Sequence, residues 1–209
     1  MFVISLAQAS LSYTIGFGAL RGILPEDLSW IATALIVLRF GFVVLLAALW
    51  IQNRRRALFR VVIIANTLWT LALLSQASAL IGVLFGGLSH AVDALMLDVV
   101  LMTMSNILIF SIWYWIIDPP GVEERQRVDE PWAFLFPQRG SGLPRYESWV
   151  PRYTDYLFLA FTTSFAFSPT DALPLTRLAK MLMLLQAAIS VVTLTGVAGS
   201  AINILAGKN

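Results

Sequence analysis

Three groups of residues in this 209-residue chain could do chemistry, and all three sit in apolar surroundings. The first is the run Thr162, Thr163, Ser164, Phe165, Ala166, Phe167 and Ser168, followed after Pro169-Thr170 by Asp171. Hydroxyls closed by a carboxylate can coordinate or attract a cation. The second group is Gln186, Ser190, Thr193 and Ser200. At about 100° per helical residue, the last three lie within about 40° of Gln186, forming one polar stripe that could line water or pack between protomers. The third is Arg39 and Asp98, ionisable residues inside long apolar runs. Such residues are rare in lipid because desolvating a charge is unfavourable, and they mark either a structural ion pair or a gating or permeation site.

Enzyme chemistry has little to work with. The chain has one histidine and no cysteine, so thiolate metal sites and disulfides are impossible. His90, at a helix mouth, makes no convincing base for a nucleophile. The glycines in GFGALRG at 16–22 follow no strand and have the wrong spacing for a phosphate loop. The expectation is no enzyme, no metal site and no cofactor.

Stepping from the sites to their supports, 58% of the residues are hydrophobic and only 12% are charged. Soluble domains carry about twice that charge. The mean hydropathy is +0.79. The net charge of +2 is far too small for a polyanion-binding face, so no nucleic-acid partner is expected. These values predict an integral membrane protein whose first partner is the lipid bilayer.

A spanning helix needs roughly 20 apolar residues. Residues 28–51, 58–85, 91–117 and 178–206 meet that length. Residues 1–20 are apolar but diluted by Ser5, Gln8, Ser10, Ser12 and Thr14, and form either a first span or an interfacial helix. They lack a basic start, so a cleaved signal peptide is not expected. Trp30, Trp50 and the Trp113-Tyr114-Trp115 run fall where interfacial aromatics belong. Asn66, Thr67, Thr70, Gln76, Ser105 and Asn106 would form interhelical hydrogen bonds or line an aqueous path.

The apolar run 157–167 is different, because 11 residues give only about 16 Å of helix. It cannot cross alone. Thr154 and Asp155 can cap its start and Pro169 prevents continuation. The fold expected is therefore an all-α membrane protein with four or five transmembrane helices and a re-entrant, pore-type half-helix before the last span. Residues 1–90 would hold two or three spans. Residues 91–209 would form a pore-like module: outer helix 91–117, surface loop 118–152, half-helix and filter-like turn 153–171, and inner helix 178–206.

That order resembles the pore-loop module of tetrameric potassium-type cation channels. In that family a threonine pair leads into a glycine-containing filter closed by aspartate, TTVGYGD; here the run is TTSFAFSPTD. Thr162, Thr163 and Asp171 match, both filter glycines are absent and the stretch is three residues longer. Phe and Pro disfavour the φ values that filter glycines adopt, so a potassium-selective carbonyl ladder is not expected. The resemblance implies a homotetramer, a monovalent cation such as potassium or sodium as the permeant species, Asp171 as a cation-attracting ring, and Phe165 and Phe167 packed behind the constriction or closing it. It also implies that Gly196 and Gly199 sit at a gating hinge, although glycines in membrane helices also serve close packing. Residues 111–205, including WYWIIDPPG and YTDYLFLAFTTSFAFSPTD, are similar to a group of hypothetical bacterial membrane proteins, which implies the bacterial cytoplasmic membrane but no activity.

Orientation divides two rules. Nine basic residues (Arg54, Arg55, Arg56, Arg60, Arg125, Arg127, Arg139, Arg145 and Arg152) fall on one side. The positive-inside rule places that side in the cytoplasm, whereas the potassium-channel orientation would place it outside. The function expected is an oligomeric pore-loop cation channel of weak selectivity. The alternatives are a small secondary transporter using Arg39 and Asp98, or a non-conducting structural or regulatory subunit.

Overall fold

A computed structural model describes residues 41, 44–45, 47–49, 51–52, 54–86, 92–118, 132–146, 149–166 and 172–206. The chain is mostly helical over them. The long helices are α1 (Arg55–Gly86), α2 (Val92–Ile117) and α5 (Arg177–Ala206). Between α2 and α5 come strand β1 (Phe134–Leu135), the single turn α3 (Pro137–Gly140), a 3-10 turn (Pro144–Tyr146), helix α4 (Tyr153–Ala166) and strand β2 (Leu173–Pro174).

Three helices among the described residues are long and apolar enough to cross a membrane, with candidate spans Arg56–Gly82, Val99–Ile117 and Arg177–Gly196. This composition suggests a membrane protein. Outward-facing side chains agree with it: Ile64, Leu68 and Leu71 on α1, and Met181, Leu184 and Leu194 on α5, are exposed yet apolar. A helix that stays apolar on its outer face suits lipid better than water. The spans expected at 1–20 and over most of 28–51 lie outside the described residues.

The helix ends follow from local chemistry. Asp118 precedes Pro119-Pro120, which cannot continue α2. Thr176 caps α5, its Oγ1 accepting the Ala179 N–H at 3.2 Å. At the start of α4 one half of a capping box is present: Asp155 Oδ2 reaches back to accept the Arg152 N–H at 2.6 Å. Asp155 thus sits three residues inside the boundary instead of at the cap itself, and Arg152 takes the cap position. After α3, Gly142 adopts φ 63°, a left-handed turn that suits glycine.

The chain forms two compact units. One contains α1, the first part of α2 and the last part of α5. There Gly196 is buried where an added Cβ would come 2.9 Å from Leu80 Cδ2 and 3.3 Å from Val99 Cγ2, so a close helix approach accounts for that glycine. The other unit, Asn106–Val192, holds every element between them. Its antiparallel ribbon pairs Phe134 with Pro174 and Leu135 with Leu173. The Leu175 N–H extends the ribbon to the Ala133 carbonyl at 2.9 Å. No strand was expected in this region.

Candidate functional site

Helix α4 carries most of the residues singled out in the sequence. It has 14 residues, and two polar clusters attach it to its neighbours. At its first turns, Tyr156 donates its hydroxyl to Asp118 Oδ2 at 2.5 Å. Asp118 is fully buried and accepts the Ala133 N–H at Oδ1, 2.9 Å. Arg139 closes the cluster, with Nη2 3.1 Å from Oδ2 and Nη1 3.5 Å from Oδ1. Nη1 also donates to the Phe134 carbonyl at 2.7 Å. The guanidinium lies 4.7 Å from the Trp132 ring centroid, a cation–π contact. Burial is the main reason the Tyr156 phenol is held above its usual range, and the Asp118 carboxylate adds to the effect. Tyr156 is therefore the donor.

The second cluster centres on Gln186, which is fully buried on α5. Its Nε2 donates to the Ala160 carbonyl at 2.7 Å and to Ser164 Oγ at 2.8 Å. Its Oε1 accepts the Tyr114 hydroxyl. Asn106 Nδ2 donates to Ser190 Oγ at 2.9 Å and to the Gln186 carbonyl at 3.3 Å. One amide therefore connects α2, α4 and α5. Between the clusters runs a chain of rings: Tyr114 packs edge-on against Phe134 at 5.1 Å, and Phe136 packs edge-on against Tyr156 at 5.5 Å.

The residues of the expected ion path separate accordingly. Thr162 and Thr163 turn their hydroxyls back to carbonyls of α4, Thr163 to Leu159 at 2.7 Å. Ser164 is spent on Gln186. Phe165 is exposed and stacks on Phe161 at 4.8 Å. Ala166 ends the helix, its side chain outside the described residues, as are Phe167, Ser168 and Asp171. Arg39 and the side chain of Asp98 are also outside them, so no pairing between the two is described.

The polar stripe on α5 is largely buried within the chain. Gln186, Ser190 and Thr193 are buried, and the first two bond to the protein's own α2 and α4. In an apolar helix an amide or hydroxyl gains most by finding a partner inside the fold. The Gln186 and Ser190 side chains therefore form a seam within the chain. Ser200's side chain lies outside the described residues, and Gly199 is half-buried.

Sequence reasoning placed Asn106 among the interhelical bonds and missed the partnership of Asp118, Arg139 and Tyr156. In the sequence, Asp118 stands out only as the residue before Pro119-Pro120, and Arg139 only as one of nine basic residues on one side. An available signal was the Trp132–Arg139 stretch, whose Phe134 and Phe136 alternate with smaller residues and whose single cation could answer Asp118. Among the described residues, no cluster of histidine, aspartate and glutamate could hold a metal ion. In comparison with known proteins, the chain matches no protein-family model, no curated protein and no solved structure.

Proposed function

We propose that this chain is a bacterial cytoplasmic membrane protein of four or five spans in which residues 153–174 form a re-entrant half-helix hairpin, and that a homo-oligomer, tetrameric by resemblance, encloses a weakly selective cation path. One observation carries the reading. Helix α4 leaves the Asp118 layer through Tyr156, and the chain is back at that layer in β2, which pairs with β1 beside Ala133, another Asp118 partner. Its far end meets Gln186, which lies about 14 Å of helical rise beyond Arg177. That depth is about half the hydrocarbon core.

A helix ending at mid-depth points the negative end of its dipole into the membrane, which favours a cation there. Peptide groups at that depth need protein or water as partners. Asp171, on the chain that follows, supplies the acid ring. Potassium, sodium and chloride flux from liposomes holding the purified protein tests the reading. Cation flux should exceed chloride flux, and Asp171→Asn should lower that preference. A conducting protein with unchanged selectivity in Asp171→Asn would move the path elsewhere.

A second reading, a non-conducting membrane subunit, is supported by the seam itself. Gln186 and Ser190 are used inside the protomer, and the exposed α5 side chains include Leu178, Met181, Leu184 and Val191. Folded, oligomeric protein that passes no ion would favour it.

A further inference from the structure

Gln186 fastens one face of α5 and leaves the opposite face unaccounted for. Arg177 and Lys180 stand in the first turn of this helix, which holds no acidic residue. Both are exposed, and neither side chain has a hydrogen bond or ion pair among the described residues. Of the carboxylates described in the same unit, Asp118 is buried with Arg139, and Asp155 caps the α4 backbone through the Arg152 N–H. The two cations are left without a counter-charge from them.

Below that pair the same face is apolar. At about 100° per residue, Lys180, Met181, Leu184 and Val191 lie within about 60° of Arg177, while Gln186 lies about 180° away. Met181, Leu184 and Val191 are 63%, 63% and 50% exposed, and Gln186 is fully buried. One side of α5 therefore packs into the fold, and the other begins with two cations and continues in apolar side chains. From Met181 to Val191 the rise is about 15 Å, half of the roughly 30 Å hydrocarbon core. The stripe has the depth of one leaflet, and the cations stand at its head, where the candidate span starts at Arg177.

Charge decides the occupant. Two exposed cations one helical turn apart call for an anion, and the stripe beneath them calls for hydrocarbon. A second copy seated on this face through a two-fold axis along the membrane normal would bring four cations to one level, which is repulsive. An anionic phospholipid supplies both parts in one molecule. Its phosphate lies in the headgroup layer that arginine and lysine side chains reach, and its chains lie below.

We infer that this face of α5 binds an anionic phospholipid of the bilayer, with the phosphate held between Arg177 and Lys180 and an acyl chain along Met181, Leu184 and Val191. The inference needs only that α5 spans, and is independent of ion conduction.

Native mass spectrometry of the full chain released from detergent micelles tests it, with phosphatidylglycerol and phosphatidylcholine of identical acyl chains as probes. Phosphatidylglycerol should bind roughly 25-fold tighter, about fivefold for each cation, because choline neutralises its own phosphate. Arg177→Gln and Lys180→Gln should each cut that preference about fivefold, and the double variant should abolish it. Arg145→Gln, which removes an exposed charge outside α5, should leave it intact. Glycerophosphoglycerol, which lacks acyl chains, should not compete. Wild-type protein that binds the two lipids equally would overturn the inference without reliance on any variant. If Leu184→Ser then also dissolved the oligomer, the stripe would belong to a second copy. A loss in Arg145→Gln as large as that in Arg177→Gln would overturn it too, by making the preference an effect of net charge. Competition by the chain-free phosphodiester would do the same, by revealing a site for soluble anions.

Discussion

The Asp118 cluster and the Gln186 cluster hold the same short helix against the same unit, yet they do so with opposite chemistry. At the first turns of α4 the fastening is ionic: a carboxylate and a guanidinium, both almost entirely buried, with an N–H and a phenol completing the carboxylate's shell. Near its last turns the fastening is neutral, one amide shared among a carbonyl, a hydroxyl and a phenol. The difference teaches where a charge can be tolerated. Asp118 lies just beyond a candidate span, while Gln186 lies well inside one. Desolvating a charge costs more with depth in a bilayer, whereas a neutral amide needs only partners.

Breaking the ionic end should have the largest effect. Asp118→Leu or Arg139→Met each leaves a buried charge without its partner, and each should lower stability by about 3–5 kcal/mol. Denaturant unfolding in detergent would measure this. The double variant should recover most of the loss, and a double variant as unstable as the worse single would show that packing, not charge, holds the cap.

At the neutral end, Gln186→Leu removes three side-chain bonds and should cost about 1–3 kcal/mol, since single interhelical bonds in membranes are individually modest. Hydrogen exchange sharpens the comparison. Amides in 157–166 should exchange faster in that variant while those in 133–139 keep their protection. Equal acceleration in both stretches would mean that the two clusters act as one.

The smallest effect is the pH dependence of the ionic end. The Tyr156 phenol is raised above its usual value of about 10 by burial, reinforced by Asp118. Its folded pKa thus exceeds its unfolded one. The stability it contributes is fully present below about pH 10 and is lost as pH rises above that, where the unfolded chain ionises first. Tyr156→Phe should cost about 1 kcal/mol at neutral pH and flatten the alkaline decline. An unchanged decline would assign it to another group.

Much of the frame was legible from residue patterns alone. Apolar length anticipated α1, α2 and α5, because the hydrocarbon thickness sets one requirement that local composition meets or fails. The bounds 91–117 and 178–206 and the capping residues Thr154 and Asp155 placed helix ends to within a few residues. The shortness of 157–167 predicted a helix too brief to cross, and α4 has that character. The direction of the Gln186 stripe was not legible. Helical periodicity shows that Gln186, Ser190 and Thr193 share a face, but not what the face meets.

What the sequence by itself determined is the apolar length of the helices, where they stop and which residues share a face, since each depends on neighbours a few positions apart. What only the tertiary structure decided is the pairing: Asp118 with Arg139 and Tyr156, and Gln186 with Tyr114, Ala160 and Ser164. Those partners are brought together by the β1–β2 ribbon and by the fold of the unit Asn106–Val192, over separations that no local pattern encodes. A buried polar group accepts any suitable donor, and geometry alone selects which one it finds.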